Sequence, residues 1–326
     1  MASAHPMVEI WRGDLLESQH RGHAVVCSSS GDVVESWGDP DQVILPRSSC
    51  KMIQALPLIE SGAADAANLS TEQLALACAS HNGAAIHTER VSAWLATLGL
   101  GETDLRCGPQ WPDDRPASNG LVKSDTSPCQ IHNNCSGKHT GFLTLAQHLR
   151  AGPEYIEIDH PVQKMALEAF ERMTGETSPT WAIDGCSAPN FAVSITGLAR
   201  AMALFARASE ISAAGRLRDA MRAYPELVAG EGRACTELMR AMDHKVTIKT
   251  GAEAVYTAIL PEQGLGIVVK IEDGTTRGAE AAITALLTKY GVLDGAHPAA
   301  LKRLGGAMRN RRGLEVGTTK AAPGFA

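Results

Sequence analysis

Runs rich in Val and Ile stand at the two ends of this chain, and the long stretch between them is patterned for helix. From His23 to Trp37, Ala24-Val25-Val26 and Val33-Val34 flank Gly31-Asp32, which is turn chemistry between two strands. Near the other end, Val255 to Leu260 and Gly264 to Ile271 flank Pro261-Glu262-Gln263 in the same way. Between them, Pro46-Arg47-Ser48 opens a helical pattern with Met52, Leu56 and Ile59 on one stripe. A second helix is predicted from about Thr71, capped by Ser70 or Thr71, with Glu72 and Gln73 in its first turn. Further helices are expected over Gly137 to Leu149, His160 to Met173, Gly197 to Arg222 with a break, Thr236 to Met242, and Arg277 to Tyr290. Cys107 to Asn134 holds Gly, Pro, Asp and Ser with little periodicity and reads as a long ordered loop. Strands at both termini with helices between predict an α+β fold, one antiparallel sheet built from both ends with a helical lobe inserted. The expected organisation is a single catalytic domain over 1–326. Its sheet lobe spans about 8–45 and 246–292, and its helical and loop lobe about 46–245.

Composition narrows the function classes. With 44% hydrophobic and 20% charged residues among 326, the chain suits a packed core. Net charge is −6, and the one basic cluster is Arg309, Arg311 and Arg312. A nucleic-acid partner needs a coherent basic face, so none is expected. No apolar run is long enough to span a bilayer, and Met1 to Val8 lacks the pattern of a signal peptide. The expectation is a cytoplasmic protein with no membrane partner. In a reducing compartment its eight cysteines are more readily buried thiols, metal ligands or nucleophiles than disulfides.

Three short motifs carry the chemistry. Ser48-Ser49-Cys50-Lys51 is an S-x-x-K at a predicted helix start, where a neutral lysine one turn from a serine can take its proton. About one such match arises by chance in a chain of this length. Ser80-His81-Asn82 is an S-x-N expected at the end of the second helix, with Gly83 as an ordinary C-cap. Lys249-Thr250-Gly251 places a cation, a hydroxyl and an open backbone at a strand edge, which suits a carboxylate or oxyanion. Each motif alone has a bland structural reading. Together, in this order, they resemble the signature of penicillin-recognising serine enzymes.

A fourth cluster is Asn133-Asn134-Cys135-Ser136-Gly137-Lys138-His139, with Asp184-Gly185-Cys186-Ser187-Ala188-Pro189-Asn190 downstream. Gly137-Lys138 lacks the upstream Gly and following Ser or Thr of a phosphate loop, so nucleotide binding is rejected. Cys135 and Cys186, on loops rich in Asn, His and Asp, could bind a soft divalent cation, zinc by default.

These last two stretches, with Lys249-Thr250-Gly251-Ala252-Glu253, Arg12-Gly13 and Glu17-Ser18-x-His20, resemble the rhizobial-type L-asparaginases, a third structural class of asparaginase. The resemblance runs from Val8 to about Tyr290. It implies a fold similar to serine β-lactamases and glutaminases, a homodimer, and hydrolysis of L-asparagine by two Ser–Lys tandems. By motif match these are Ser48 with Lys51, and Ser80 with Lys249. It further implies a zinc ion held by Cys135, Lys138 and Cys186, with the lysine ligand coming from the resemblance alone. Asp184, Asn133, His139, Thr250 and Gly251 are the expected substrate contacts. The rival readings are a glutaminase or β-lactamase-like serine hydrolase, a zinc-dependent amidohydrolase, and a non-catalytic amino-acid sensor.

Overall fold

A computed structural model describes residues 3–326. The chain forms two compact units. One comprises Met1–Ser49, Val193–Arg207 and Glu237–Ala326, the other Cys50–Ala192 and Ala208–Thr236.

The first unit is built on an antiparallel sheet. Its strands run in the order Ala307–Arg309, Glu315–Ala321, His5–Arg12, Leu15–Ser28, Leu265–Ile271, Val255–Leu260 and Thr247–Gly251, with Val33–Trp37 pairing on Leu15–Ser28. N-terminal and C-terminal strands meet where Val25 lies opposite Val268, so the sheet is made from both ends of the chain as expected. Ala24 to Cys27, Val255 to Leu260 and Ile267 to Val269 are buried at every position rather than at alternate ones. Continuous apolar runs of this kind belong to strands covered on both faces. The helices Ile195–Arg207 and Thr276–Lys289 pack on these strands.

Two strands follow residue 292, and Glu315–Ala321 pairs along His5–Arg12 with Val8 opposite Ala321. Its sequence, Glu-Val-Gly-Thr-Thr-Lys-Ala, lacks the apolar run that marks the central strands. Arg309, one of the basic cluster, lies on the neighbouring strand and pairs with Glu315 at 2.6 Å.

The second unit is mostly helical. Ser70 caps Thr71–Ala77 in a reciprocal box, its Oγ accepting from Gln73 N at 3.3 Å while Gln73 Oε1 accepts from Ser70 N at 2.8 Å. Ser136–His148 is buried at every position from Ser136 to Ala146, which makes it the central helix of this unit. It can be central because Gly137 has no side chain. A Cβ there would stand 2.5 Å from Leu76 O on the Thr71–Ala77 helix.

The remaining predicted helices are Pro161–Thr174, Ile195–Arg207, Ala213–Ala223, Ala234–Ala241 and Thr276–Lys289, and the expected break falls after Arg207. Two expectations are corrected. The supposed loop from Cys107 to Asn134 contains the helix Arg115–Lys123, whose start is set by Asp114 Oδ1 accepting from Ala117 N at 2.9 Å. That helix buries none of its residues, so it needs no apolar stripe and shows none. The S-x-N motif is not a helix end either. Its helix stops at Ala77, and Ser80 to Asn82 follow on irregular backbone, so Gly83 is not the C-cap. No helix among the described residues is long and apolar enough to cross a membrane.

Candidate active site

In the helical unit the site is organised by Lys51, the first residue of the helix Lys51–Gln54, which is 1% exposed. A buried lysine nitrogen needs partners for its N–H groups. Lys51 Nζ donates to Ala79 O, to Ser80 Oγ at 2.9 Å and to Cys135 Sγ at 3.1 Å. Ser80 is held in register because its N–H donates to Val228 O at 2.8 Å and the next N–H, from His81, to Asn134 O at 3.1 Å.

His81 belongs to this support, and sequence reasoning passed over it although it lies inside the S-x-N motif. Its Nδ1 accepts from Gly83 N at 3.1 Å, which leaves the ring proton on Nε2, 2.9 Å from Ser136 Oγ. Ser136 Oγ in turn donates to Ile131 O. Burial, then the neighbouring His87 and the charge of Lys51, hold the His81 imidazole neutral well below its usual range.

The second cluster of this unit contains the two cysteines. Cys135, Lys138 and Cys186 are each at most 4% exposed, and Lys138 Nζ donates to Cys186 Sγ at 3.2 Å. Cys186 sits in a tight turn in which Ser187 adopts φ +69° and donates its N–H to Asp184 O at 2.8 Å. A hydrogen bond shared with Cys135, outweighing burial and helped by the Lys138 charge, pushes Cys186 toward thiolate. The same shared bond and burial push Cys135 up. For Lys138, burial disfavours the charge but Cys186, Cys135 and Asp184 outweigh it, so its pKa is raised.

Two soft sulfurs and an amine within one buried cluster fit zinc. No group of three or more His, Cys, Asp or Glu suited to a metal occurs among the described residues.

Asn133 spends its polar atoms inside the protein, whereas His139 pairs through Nδ1 and leaves its buried Nε2 without a hydrogen-bond partner. Asn133 Nδ2 donates to Cys107 O and Gly108 O, and its Oδ1 accepts from Cys135 N at 2.9 Å. His139 is fully buried, with Nδ1 2.9 Å from Tyr155 Oη, and burial followed by the Lys138 charge keeps it neutral. Tyr155 Oη also accepts from Arg106 N at 2.7 Å. These side chains fix the loop that presents Cys135.

The sheet unit carries Ser48, Lys249, Thr250 and Gly251. Ser48 was expected at a helix start, but it lies in the 3₁₀ turn Arg47–Cys50 and the α-helix begins only at Lys51. The physical reason is local. Arg47 adopts φ +53°, which helix does not allow, and Ser49 Oγ and N–H both turn back to Pro46 O at 2.7 and 3.2 Å. The K-T-G motif explains how this turn is seated. A Cβ on Gly251 would stand 2.5 Å from Pro46 O and 2.9 Å from Ser49 N, and Thr257 Oγ1 donates to Ser49 O at 3.0 Å. Lys249 lies on the edge strand Thr247–Gly251, is 1% exposed, and donates from Nζ to Thr250 O at 2.9 Å. Ser48 itself is half-buried.

The chain thus brings together Lys51, Ser80, Cys135, Lys138 and Cys186 in one unit, and the turn of Ser48 with the K-T-G strand in the other. No curated protein matches the sequence. Among solved structures, a protein called Mglu in its native form is 14% identical, with 88% of this chain and 68% of that chain covered and a TM-score of 0.48. A β-lactamase from Mycobacterium bovis is 15% identical, with 82% and 94% covered and a TM-score of 0.45. The family model for L-asparaginase II matches residues 8–321, nearly the full length. On that match, the chain belongs to the L-asparaginase II family and is an L-asparagine amidohydrolase.

Proposed function

We propose that this enzyme hydrolyses L-asparagine through a serine-bound acyl intermediate, with the whole chain acting as one catalytic domain. Ser48 Oγ attacks the side-chain carboxamide carbon while Lys51 takes the hydroxyl proton. The C–N bond breaks, the departing nitrogen collects a proton passed on by Ser80, and ammonia leaves a β-aspartyl ester on Ser48. Water then attacks the ester carbon, aspartate departs, and the proton returns to Ser48. Lys249 is the amine partner of Ser80 in the second tandem. Thr250 and Gly251 receive a substrate carboxylate, and Asp184 receives the α-ammonium. Asn133 and His139 keep the Cys135 loop in place behind these contacts. Cys135, Lys138 and Cys186 would hold zinc, which when bound supplies a fixed charge that orients the α-amino and α-carboxylate groups. Homodimerisation and a cytoplasmic location belong to the same proposal.

The observation that carries this reading is the 2.9 Å bond from buried Lys51 Nζ to Ser80 Oγ. The same bond supports a second reading, in which Ser80 is the nucleophile and Lys51 its base. Accessibility favours the first, since Ser80 is 5% exposed and Ser48 half-buried. Ammonia release by Ser48→Ala and Ser80→Ala separates them. With Ser48 as nucleophile, Ser48→Ala loses at least about 10³-fold in kcat, and rapid quenching of the wild type finds one aspartyl group on the Ser48 peptide. Full turnover by folded Ser48→Ala hands the role to Ser80. Rates on glutamine and a chromogenic cephalosporin test the neighbouring serine hydrolases. Loss of all turnover on complete chelation would instead favour a metal-activated water.

A further inference from the structure

The helical unit encloses a cavity of about 10 Å³ beside the helices Lys51–Gln54, Thr71–Ala77 and Ser136–His148. Most of its wall is hydrocarbon, from residues such as Leu58, Ala77 and Phe142. Two polar side chains interrupt that wall, Gln54 and Lys138. A single water needs about 10–15 Å³ of such space, so this cavity has room for one and for nothing larger.

Both polar groups reach it with hydrogen-bonding capacity to spare. Gln54 is 4% exposed, and among the described residues its carboxamide meets no partner. Lys138 is buried too, and its one hydrogen bond among those residues runs from Nζ to Cys186 Sγ at 3.2 Å. The Phe142 ring centre lies 5.2 Å from that nitrogen, an attraction that satisfies no N–H directionally. A carboxamide brings two donors and an acceptor, and burying them unsatisfied opposes folding. Apolar cavities stay dry, whereas one with donors and an acceptor on its wall takes up water.

The placement of Gln54 ties it to the site. It stands three positions after Lys51 in one short helix, so the two side chains share a face. The helix that gives Lys51 to Cys135 gives Gln54 to the cavity of Lys138. The demand on Lys138 rises if it holds a metal. An amine binds an ion through its lone pair, and its N–H groups must then find acceptors elsewhere. Outer partners of this kind orient metal ligands.

We propose that one water in this cavity joins Gln54 to Lys138, and that Gln54 is thereby a positioning residue which aims the Lys138 nitrogen at Cys135 and Cys186. Its consequence for the site rests on Cys135, Lys138 and Cys186 holding zinc, whereas the water rests on the unpaired groups alone.

Zinc affinity of the full-length protein, measured by competition with a chelating dye, tests the proposal. The proteins compared are wild type, Gln54→Met, Leu58→Met, Lys138→Met and the double variant Gln54→Met with Lys138→Met. Gln54→Met keeps the side-chain length and removes every polar atom from it. Expected is a loss of about 10- to 100-fold in zinc affinity. Leu58→Met conserves volume on the same wall and touches no polar group, so its affinity should stay at the wild-type value. In the Lys138→Met background, Gln54→Met should cost nothing further, because the residue it serves is gone. Wild-type affinity in Gln54→Met overturns the proposal, as does an undiminished loss in the Lys138→Met background. If Lys138→Met misfolds, the contrast between Gln54→Met and Leu58→Met still decides. If the wild type binds no zinc, the metal reading fails separately, and a crystal structure of the metal-free protein decides the rest. Water within about 3.2 Å of both Gln54 and Lys138 Nζ upholds the bridge, and a dry cavity sinks it.

Discussion

The two units bury very different interiors. Along the central strands of the sheet unit, Ile259, Ile267, Val268 and Val269 have no exposed surface and bring nothing but hydrocarbon, the buried Lys249 lying apart on the edge strand. At the centre of the helical unit, Lys51, His81, His87, Asn133, Ser136, Lys138 and His139 are all at most 5% exposed. Hydrocarbon burial is non-directional and stabilises in proportion to area. A buried polar group stabilises nothing unless each donor and acceptor finds a partner. The sheet unit is therefore a framework that tolerates rearrangement of detail, whereas the helical unit is a network that must be assembled whole. Polar groups gathered at such a cost point to chemistry.

The comparison breaks most visibly at Lys51. Lys51→Met should lower kcat by about 10² to 10⁴-fold, the span of a lost general base, while circular dichroism reports a folded chain. Near wild-type ammonia release would make the helical network purely structural. Next in size, Ile267→Ala should destabilise the sheet by about 2–5 kcal/mol in urea unfolding and leave kcat at saturating asparagine within about twofold. A large kcat loss there would erase the division between framework and network.

Acid sharpens the contrast. Burial first, and for His81 the adjacent His87 and Lys51, lower both imidazoles, so the folded chain binds their protons later than the unfolded chain does. That contribution is complete above the ordinary value of 6.5 and is lost as pH falls below it toward the folded values. Amide exchange at about pH 7.5 and about pH 5.5 should show protection falling in the helices Thr71–Ala77 and Ser136–His148 while Val255–Leu260 and Leu265–Ile271 hold. Equal losses would contradict it.

Smaller still, Ser70→Ala removes one half of a reciprocal cap and should cost about 1 kcal/mol by chemical denaturation. Smallest, Arg309→Ala breaks an ion pair whose partners are 56% and 64% exposed. It should change stability by less than about 0.5 kcal/mol. A larger effect would give the terminal strands a weight that their exposure does not predict.

Much of the framework was legible in the sequence. Ala24-Val25-Val26 and Val255 to Ile271 announced their strands because central strands write their burial as unbroken apolar runs. Ser70 or Thr71 announced a helix start because capping is a local hydrogen-bonded device, and the structure settles it on Ser70 with Gln73. Arg115–Lys123 and Glu315–Ala321 were not legible, since an exposed helix and a polar outer strand owe their form to neighbours rather than to their own pattern. The site was legible as motifs, not as geometry. S-x-x-K suggested a serine at a helix start, yet Arg47 in a left-handed conformation and the bare backbone of Gly251 make Ser48 part of a turn.

By itself the sequence determined that both ends of the chain build one antiparallel sheet, and it marked the serines, lysines and cysteines worth watching. Those are properties of short windows, fixed by hydrophobic period and residue chemistry. Only the tertiary structure decided that Lys51 gives its protons to Ser80 and Cys135, that Lys138 meets Cys186, and that His81 braces the segment between them. Such pairings join residues from 29 to 84 positions apart, and a hydrogen bond depends on ångströms that no local pattern records.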